Sequence, residues 1–247
     1  MLTAIGNIFL ANDTRLQYLF ATLRSFLFFK NNLVVYLNVE NLADISQDNI
    51  DKLKNILKEF KYYELSGDKD NFGTIYSKLL SKSETKYHMH FEEDHFCVLN
   101  EEKYLSELLG CMEEQSVEIC KITFFEIEKA RVHSISPLQE TAVGKIYEAS
   151  LEGFISVNRN VASYYLGNNC IFDKQFAERY WSNSRLDNHK QTQHKPHPFE
   201  LRSYTEEFKH TYMLPSQEIL CAIDDDHGLT NSCLLNRDVE KFNDILI

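Results

Sequence analysis

Leu33–Val39 is an apolar run of strand length, polar only at Asn38. A strand that is hydrophobic on both faces has to be covered on both sides, which is the position of an inner strand in a parallel sheet. The flanking segments meet that demand. Thr3–Leu10 is rich in β-prone residues and reads as a strand that stops at Ala11-Asn12-Asp13-Thr14, a turn whose side chains suit a helix cap. Leu16, Leu19, Phe20, Leu23, Phe26 and Leu27 then recur at helical spacing. Ser46–Phe60 carries a second helical stripe, capped by Ser46 or Asp48, and Lys61–Leu65 reads as a short strand. Gly67–Phe72 is a polar loop, Gly73–Ser81 a third helix, and a fourth strand starts at Lys86. Strand–helix alternation of this kind predicts an α/β fold with a mostly parallel sheet and helices on both faces.

The second half of the chain is less regular. Glu101–Glu114 is amphipathic and helical, and Val117–Phe125 reads as a strand. Ser150–Val157 is expected to be a strand near the sheet edge. Cys170-Ile171-Phe172 leads into a helix over Asp173–Trp181, with Asp173 as its cap. Ser182–Pro198 is polar and loop-like, Phe199–His210 reads as helical, and Arg237–Ile247 as a terminal tail. With 247 residues and scarce Gly and Pro, the expectation is a single domain without long linkers.

Composition excludes several functions. A net charge of −11 argues against a general nucleic-acid binder, which needs basic surface for phosphates. No apolar run is long enough to span a bilayer, and Met1-Leu2-Thr3-Ala4 lacks the basic start of a secretory signal. The expected location is cytoplasmic, with room for peripheral association with a membrane surface. The six cysteines form no Cys-x-x-Cys pair and read as reduced, buried small hydrophobes.

Chemistry concentrates where the fourth strand ends, in Phe91-Glu92-Glu93-Asp94-His95. Three adjacent carboxylates repel one another, and a partly buried cluster is tolerated only beside positive charge. A divalent cation is the natural partner, because Mg²⁺ and Mn²⁺ prefer carboxylate oxygens. Open α/β sheets also bind ligands beyond the carboxyl ends of their strands. His88 and His90 occupy alternate positions on the preceding strand and read as structural. A second acid cluster, Asp224-Asp225-Asp226-His227, is as consistent with a closing surface turn as with a late metal contact through His227. Asp70, Asn71 and Gly73 precede the third helix, whose backbone N–H groups suit an anion.

Three features together resemble a family-2-type glycosyltransferase with the GT-A fold. Leu10-Ala11-Asn12-Asp13 with Arg15 resembles the family's first nucleotide-binding turn. Phe91-Glu92-Glu93-Asp94 resembles its Asp-x-Asp motif, with Glu92 in the leading position. Pro198-Phe199-Glu200 is similar to the aromatic-then-acid motif that carries the catalytic base in some members. Asn38 and Glu40 stand where the family's second strand ends in Asp.

The resemblance implies inverting transfer of a sugar from a nucleotide-diphosphate donor (UDP- or GDP-linked) to a glycan or glycoconjugate hydroxyl, with Mn²⁺ or Mg²⁺ on the leaving diphosphate. It implies Asp94 and Glu92 as metal ligands, with His227 of the second cluster as a further candidate, and Ala11, Asn12, Asp13, Arg15, Asn38, Glu40, Glu92 and Glu93 as nucleotide-sugar contacts, to which the helix start at Asp70, Asn71 and Gly73 adds. Glu200 is the first candidate base and Glu218 the second. On this reading residues 1–100 bind the nucleotide, 101–235 the acceptor, and 236–247 form a tail. One rival is a nucleotidyltransferase, a class that usually has a Gly-rich, basic loop after its first strand, but Leu10-Ala11-Asn12-Asp13-Thr14-Arg15 has no glycine. The other is a binding domain that keeps the fold without the chemistry.

Overall fold

The first strand, β1 (Leu2–Ile8), lies at the centre of the amino-terminal half, paired in parallel with β2 (Leu33–Val39) on one side and β4 (Tyr87–His90) on the other. β3 (Tyr63–Ser66) adds to β2, also in parallel. The connections are the helices α1 (Asp13–Phe26), α2 (Gln47–Leu57) and α3 (Phe72–Lys82). This is a computed structural model that describes residues 1–70, 72–122, 137–150, 170–180 and 209–222. The remaining described elements are β5 (His95–Cys97), α4 (Glu102–Glu114), β6 (Ile119–Lys121), β7 (Gln139–Thr141), β8 (Gly144–Ser150), β9 (Cys170–Asp173), α5 (Lys174–Tyr180), β10 (Lys209–Pro215) and β11 (Leu220–Ala222).

Nine of these strands form one sheet in the order β3-β2-β1-β4-β9-β6-β10-β8-β7. β9 and β8 run against the others, so the sheet is mixed but mostly of one direction. β5 and β11 form a separate two-stranded ribbon, in which Ala222 lies opposite His95.

The run Leu33–Val39 behaves as its composition demands. Leu33, Val35, Leu37 and Val39 enter the core under α1, α2 and α4, while Val34 and Tyr36 enter the core under α3 and α5. Caps set the helix starts. Asn12 accepts the backbone N–H of Arg15 at 3.0 Å, and Ser46 rather than Asp48 accepts that of Asn49 at 3.4 Å. Asp173 Oδ1 likewise accepts the N–H of Gln175 at 2.8 Å, as expected of a cap.

Two expectations shift. The strand expected over Ser150–Val157 is seen earlier, as β8 from Gly144 to Ser150; residues 151–157 lie outside the described part. Its start is set by a tight β7–β8 turn, where the Thr141 hydroxyl bonds both the N–H and the C=O of Gly144. Only glycine fits there, because a Cβ on Gly144 would collide with the Leu214 carbonyl. The helix expected over Phe199–His210 gives way at Lys209 and His210 to β10, which pairs with β8 along its whole length. Pairing across the sheet overrides local helix propensity there. Residues 199–208 lie outside the described part. Among the described residues no helix is long and apolar enough to cross a membrane.

Candidate functional site

The strands β1, β2, β3 and β4 end on one edge of the sheet, and β6 and β10 end there too, because β9 between β4 and β6 is antiparallel to both. The acid turn leaves β4 at this edge. Phe91 N–H still donates to Ile5 O at 3.1 Å, one step past the strand, and the Phe91 ring is fully buried. That ring packs edge-on to Phe26 with centroids 5.2 Å apart. It needs Gly6 beneath it, since a Cβ at Gly6 would stand 2.7 Å from Phe91 Cζ.

Beyond Phe91 the turn is hung from α1. Thr22 Oγ1 donates to the Glu93 carbonyl at 2.7 Å. Ser25 Oγ donates to Thr22 O and accepts the N–H of Cys97. Glu92 and His95 close the turn on each other: Glu92 N–H donates to His95 Nδ1 at 3.1 Å, and His95 N–H to Glu92 O at 3.3 Å.

Electrostatically the turn is overloaded with negative charge. Arg15, in the first turn of α1, places Nη1 3.3 Å from Glu93 Oε1 and 3.3 Å from Asp94 Oδ2. The Arg15 guanidinium is thus shared between Glu93 and Asp94. Burial, with the Asp94 and Glu93 charges, pushes the Glu92 carboxyl up to about 8, and Arg15 offsets this only in part. Glu92, Asp94 and His95 each offer a ligand atom, all within 4.8 Å of one another. Burial, with Lys121 nearby, holds His95 down to about 3, so the ring is neutral. Since its Nδ1 accepts the Glu92 N–H, Nε2 carries the hydrogen. His95 therefore braces the turn, and the carboxylate oxygens of Glu92 and Asp94 are the donors suited to a hard divalent cation.

This arrangement fixes the sign of a proton linkage. In the folded chain Glu92 keeps its proton up to about pH 8, whereas in the unfolded chain it loses it in the ordinary carboxylate range. Glu92 therefore supports the fold at low pH, and that support is lost as pH rises through about 8. A cation at the turn displaces the same proton. Affinity for Mn²⁺ should accordingly rise by up to about tenfold per pH unit from pH 6 to about 8 and then level off. Calorimetry in buffers of different ionisation enthalpy should count up to one proton released at pH 7. A flat affinity over that range would remove Glu92 from the ligand set.

The other expected contacts group unevenly around this turn. Ala11, Asn12 and Asp13 are exposed on the same edge, with Asn12 serving as the cap. Asn38 is fully buried; its amide donates to Asn7 Oδ1 and Asp68 O and accepts from Ser66 Oγ and Asp68 N–H, so it ties the ends of β1, β2 and β3 together. Glu40 accepts from Asn7 Nδ2 at 3.3 Å and is partly exposed beside it. Asp70 is exposed before α3, and Gly73 is buried in its first turn. Glu218 is half-buried after β10, where Ile219 and Leu220 both donate to Ile122 O at 2.9 Å. Asn71, Glu200 and His227 lie outside the described residues.

Sequence reasoning passed over several participants. Asn41 makes a two-way bridge to the backbone of Leu10, at 3.0 and 2.8 Å. Thr22 and Ser25 look like ordinary helix residues, although two hydroxyls three apart among Leu19, Leu23 and Phe26 signal a partner on that face. Lys121 is only 1% exposed, near enough to His95 to lower its pKa. Phe9, at the mouth of β1, is 59% exposed.

No protein-family model and no curated protein matches the sequence. Solved structures match its fold. The S. aureus TarS 1–349 structure in complex with UDP-GlcNAc superposes with a TM-score of 0.59 at 10% identity, covering 99% of this chain and 65% of that one. The same fragment in complex with UDP gives a TM-score of 0.56 at 12% identity, covering 99% of this chain and 64% of that one. S. aureus TarS itself gives 0.57 at 10% identity, with 99% of this chain and 38% of that one covered. The chain thus spans just under two thirds of the TarS fragment. At these identities the likeness establishes the architecture, a mixed α/β fold of the GT-A type.

Proposed function

We propose that the chain is a metal-dependent, inverting glycosyltransferase that moves a sugar from a nucleotide-diphosphate donor to a hydroxyl of a glycan or glycoconjugate. The observation that carries the reading is the acid turn, with Glu92 held protonated against Asp94 at the carboxyl edge of a GT-A-type sheet. Asp94 and Glu92 would hold Mn²⁺ or Mg²⁺, with His227 as a further ligand. The ion would supply Lewis-acid stabilisation of the leaving diphosphate.

The protein's own groups do the rest. Asn12, Asp13 and Arg15 sit at the start of α1, where the helix N-terminus favours phosphate. Glu40 and Asn38 would contact the nucleoside from the end of β2, where Glu40 accepts from Asn7 and Asn38 is braced by Asn7 and Asp68. Exposed Phe9 offers a face for the base, Asp70 and Gly73 lie at the start of α3, and Asn71 would be a further contact. Glu93 would contact the ribose or the donor sugar. A carboxylate, Glu200 or Glu218, takes the acceptor hydroxyl's proton as the acceptor oxygen bonds to the anomeric carbon and the diphosphate leaves from the opposite face. In this scheme residues 1–100 handle the nucleotide and 101–235 the acceptor. Because the TarS fragment was solved with UDP-GlcNAc and with UDP, uridine donors are the first to try.

A thermal-shift panel of UDP, GDP, CMP and dTDP, each with and without Mn²⁺, tests the proposal. One diphosphate at about 100 times its Kd should raise Tm by about 5–10 °C, and only with the metal present. No response to any nucleotide would leave a GT-A-type binding domain without the chemistry.

A further inference from the structure

A cleft opens at the end of the sheet opposite the acid turn. β4 leads into that turn at its last residue, His90, while its first, Tyr87, lines a cleft of about 580 Å³. Small-molecule sites commonly measure about 300–1,000 Å³. Asn32, just before β2, Glu84 and Lys86, just before β4, and Ser106, Gly110 and Glu113 of α4 also line it. The proposed transfer reaction uses none of these residues.

Three observations point to a ligand there. Tyr87 is only 3% exposed, yet its hydroxyl has no hydrogen-bond partner among the described residues. A buried hydroxyl left unpaired is costly, and phenylalanine would avoid that cost. Burial, with the Asp173 and Glu113 charges, holds the phenol above its usual range, so it stays a donor. Gly110 lies inside the 13-residue helix α4, where glycine is a poor choice. Packing does not demand it, because a Cβ there would meet nothing within 4 Å. What the missing side chain does is keep one wall of the cleft open. Finally, the side chains of Asn32, Glu84 and Ser106 make no hydrogen bond or ion pair among the described residues.

The lining selects the class of ligand. Its one lysine, Lys86, stands with Nζ 3.6 Å from Glu113 Oε1, which leaves a phosphate no anchor and an added amine a competitor. Leu109 and Met1 are too few for a lipid tail. Amide, hydroxyl and carboxylate groups side by side suit a neutral molecule whose own hydroxyls both donate and accept. We infer that the cleft is a second binding site, which takes a neutral saccharide at the end of the sheet away from the acid turn. A sugar hydroxyl supplies the partner that Tyr87 lacks. The phenol oxygen is shielded from water, and the exposed Lys86 side chain, whose Nζ stands 5.3 Å over the Tyr87 ring, can turn aside to admit it. An exposed ion pair of this kind holds its partners only weakly. The site goes beyond the metal and nucleotide reading and needs neither ligand.

Saturation-transfer NMR with glucose, galactose, mannose, N-acetylglucosamine and their disaccharides, in chelator and without nucleotide, tests this on the full chain. At least one sugar should bind with a Kd of about 1 mM. Tyr87→Phe should weaken it by about tenfold, and Gly110→Met or Ser106→Trp, which plug the cleft, should abolish it. Melting curves separate this from a structural role. Tyr87→Phe should melt no lower than wild type, since it removes an unpaired buried hydroxyl, and Gly110→Met about 2 °C higher, since it removes a helical glycine. Adding Mn²⁺ with UDP or GDP should leave the sugar bound. The inference is overturned if no sugar of the panel binds the wild type, if both plugged variants bind as wild type does, if Mn²⁺ with nucleotide displaces the sugar, or if Tyr87→Phe melts well below wild type. Because metal and nucleotide are absent from the binding step, its failure leaves the proposed function standing.

Discussion

Asp94→Asn is expected to lower sugar transfer by about 10³-fold while leaving the fold at least as stable as wild type. A metal that polarises a leaving diphosphate contributes several kcal/mol to the transition state, and about 4 kcal/mol corresponds to three decades in rate. Asparagine keeps the shape of the side chain but loses the charge that binds the cation. Stability moves the other way. The Asp94 charge is the largest neighbouring contribution to the raised Glu92 carboxyl, so removing it relieves repulsion inside the turn. Arg15 keeps Glu93 as a partner at 3.3 Å. Loss of function with retained stability is the signature of a residue kept for chemistry at a cost to the fold. Release of nucleotide diphosphate from the donor found by the thermal-shift panel, read beside calorimetric melting, would check both halves. Wild-type turnover in Asp94→Asn would sink the site assignment.

The second large effect is on stability. Phe91→Ala should cost about 3–5 kcal/mol, in the range for emptying a buried aromatic site. The ring has no exposure, meets Phe26 edge-on, and lies so close to Gly6 that β1 cannot fill the space left behind with a side chain of its own. Guanidinium unfolding of Phe91→Ala and Phe91→Leu gives the measurement; leucine should recover about half of the loss. A cost below about 1 kcal/mol for the alanine variant would mean that the turn is not anchored through this ring.

Much of the amino-terminal half was legible because period and caps agree there. Leu33–Val39 alternates between two cores, Ser46 and Asn12 cap the helices they precede, and both signals are local. The acid turn was legible for a related reason: like charges crowded at a strand end violate a local rule, and such violations mark function. What stayed hidden depends on partners distant in sequence. Thr22, Ser25 and Asn41 act through backbone groups at Glu93, Cys97 and Leu10 that no spacing rule connects to them. Asn38 reads as a ligand contact because it ends a strand, yet its four hydrogen bonds all stay inside the protein. The bounds of β8 and the start of β10 were not legible because each strand is specified by the other across the sheet. Lys121 was overlooked because a single lysine in a strand ordinarily points to water, and only the fold makes it internal.

The ribbon of β5 and β11 has a bearing on how the protein is made. His95, which braces the carboxylates, takes its strand partner Ala222 from far downstream, and β9 and β10 are likewise late segments threaded beside early ones. Pairings between such distant stretches form slowly and late. On the ribosome the nascent chain will hold the acid turn without its ribbon partner until β11 has emerged. A ligand that needs the whole acid turn is then expected to bind after residue 222 has emerged rather than as an early folding template.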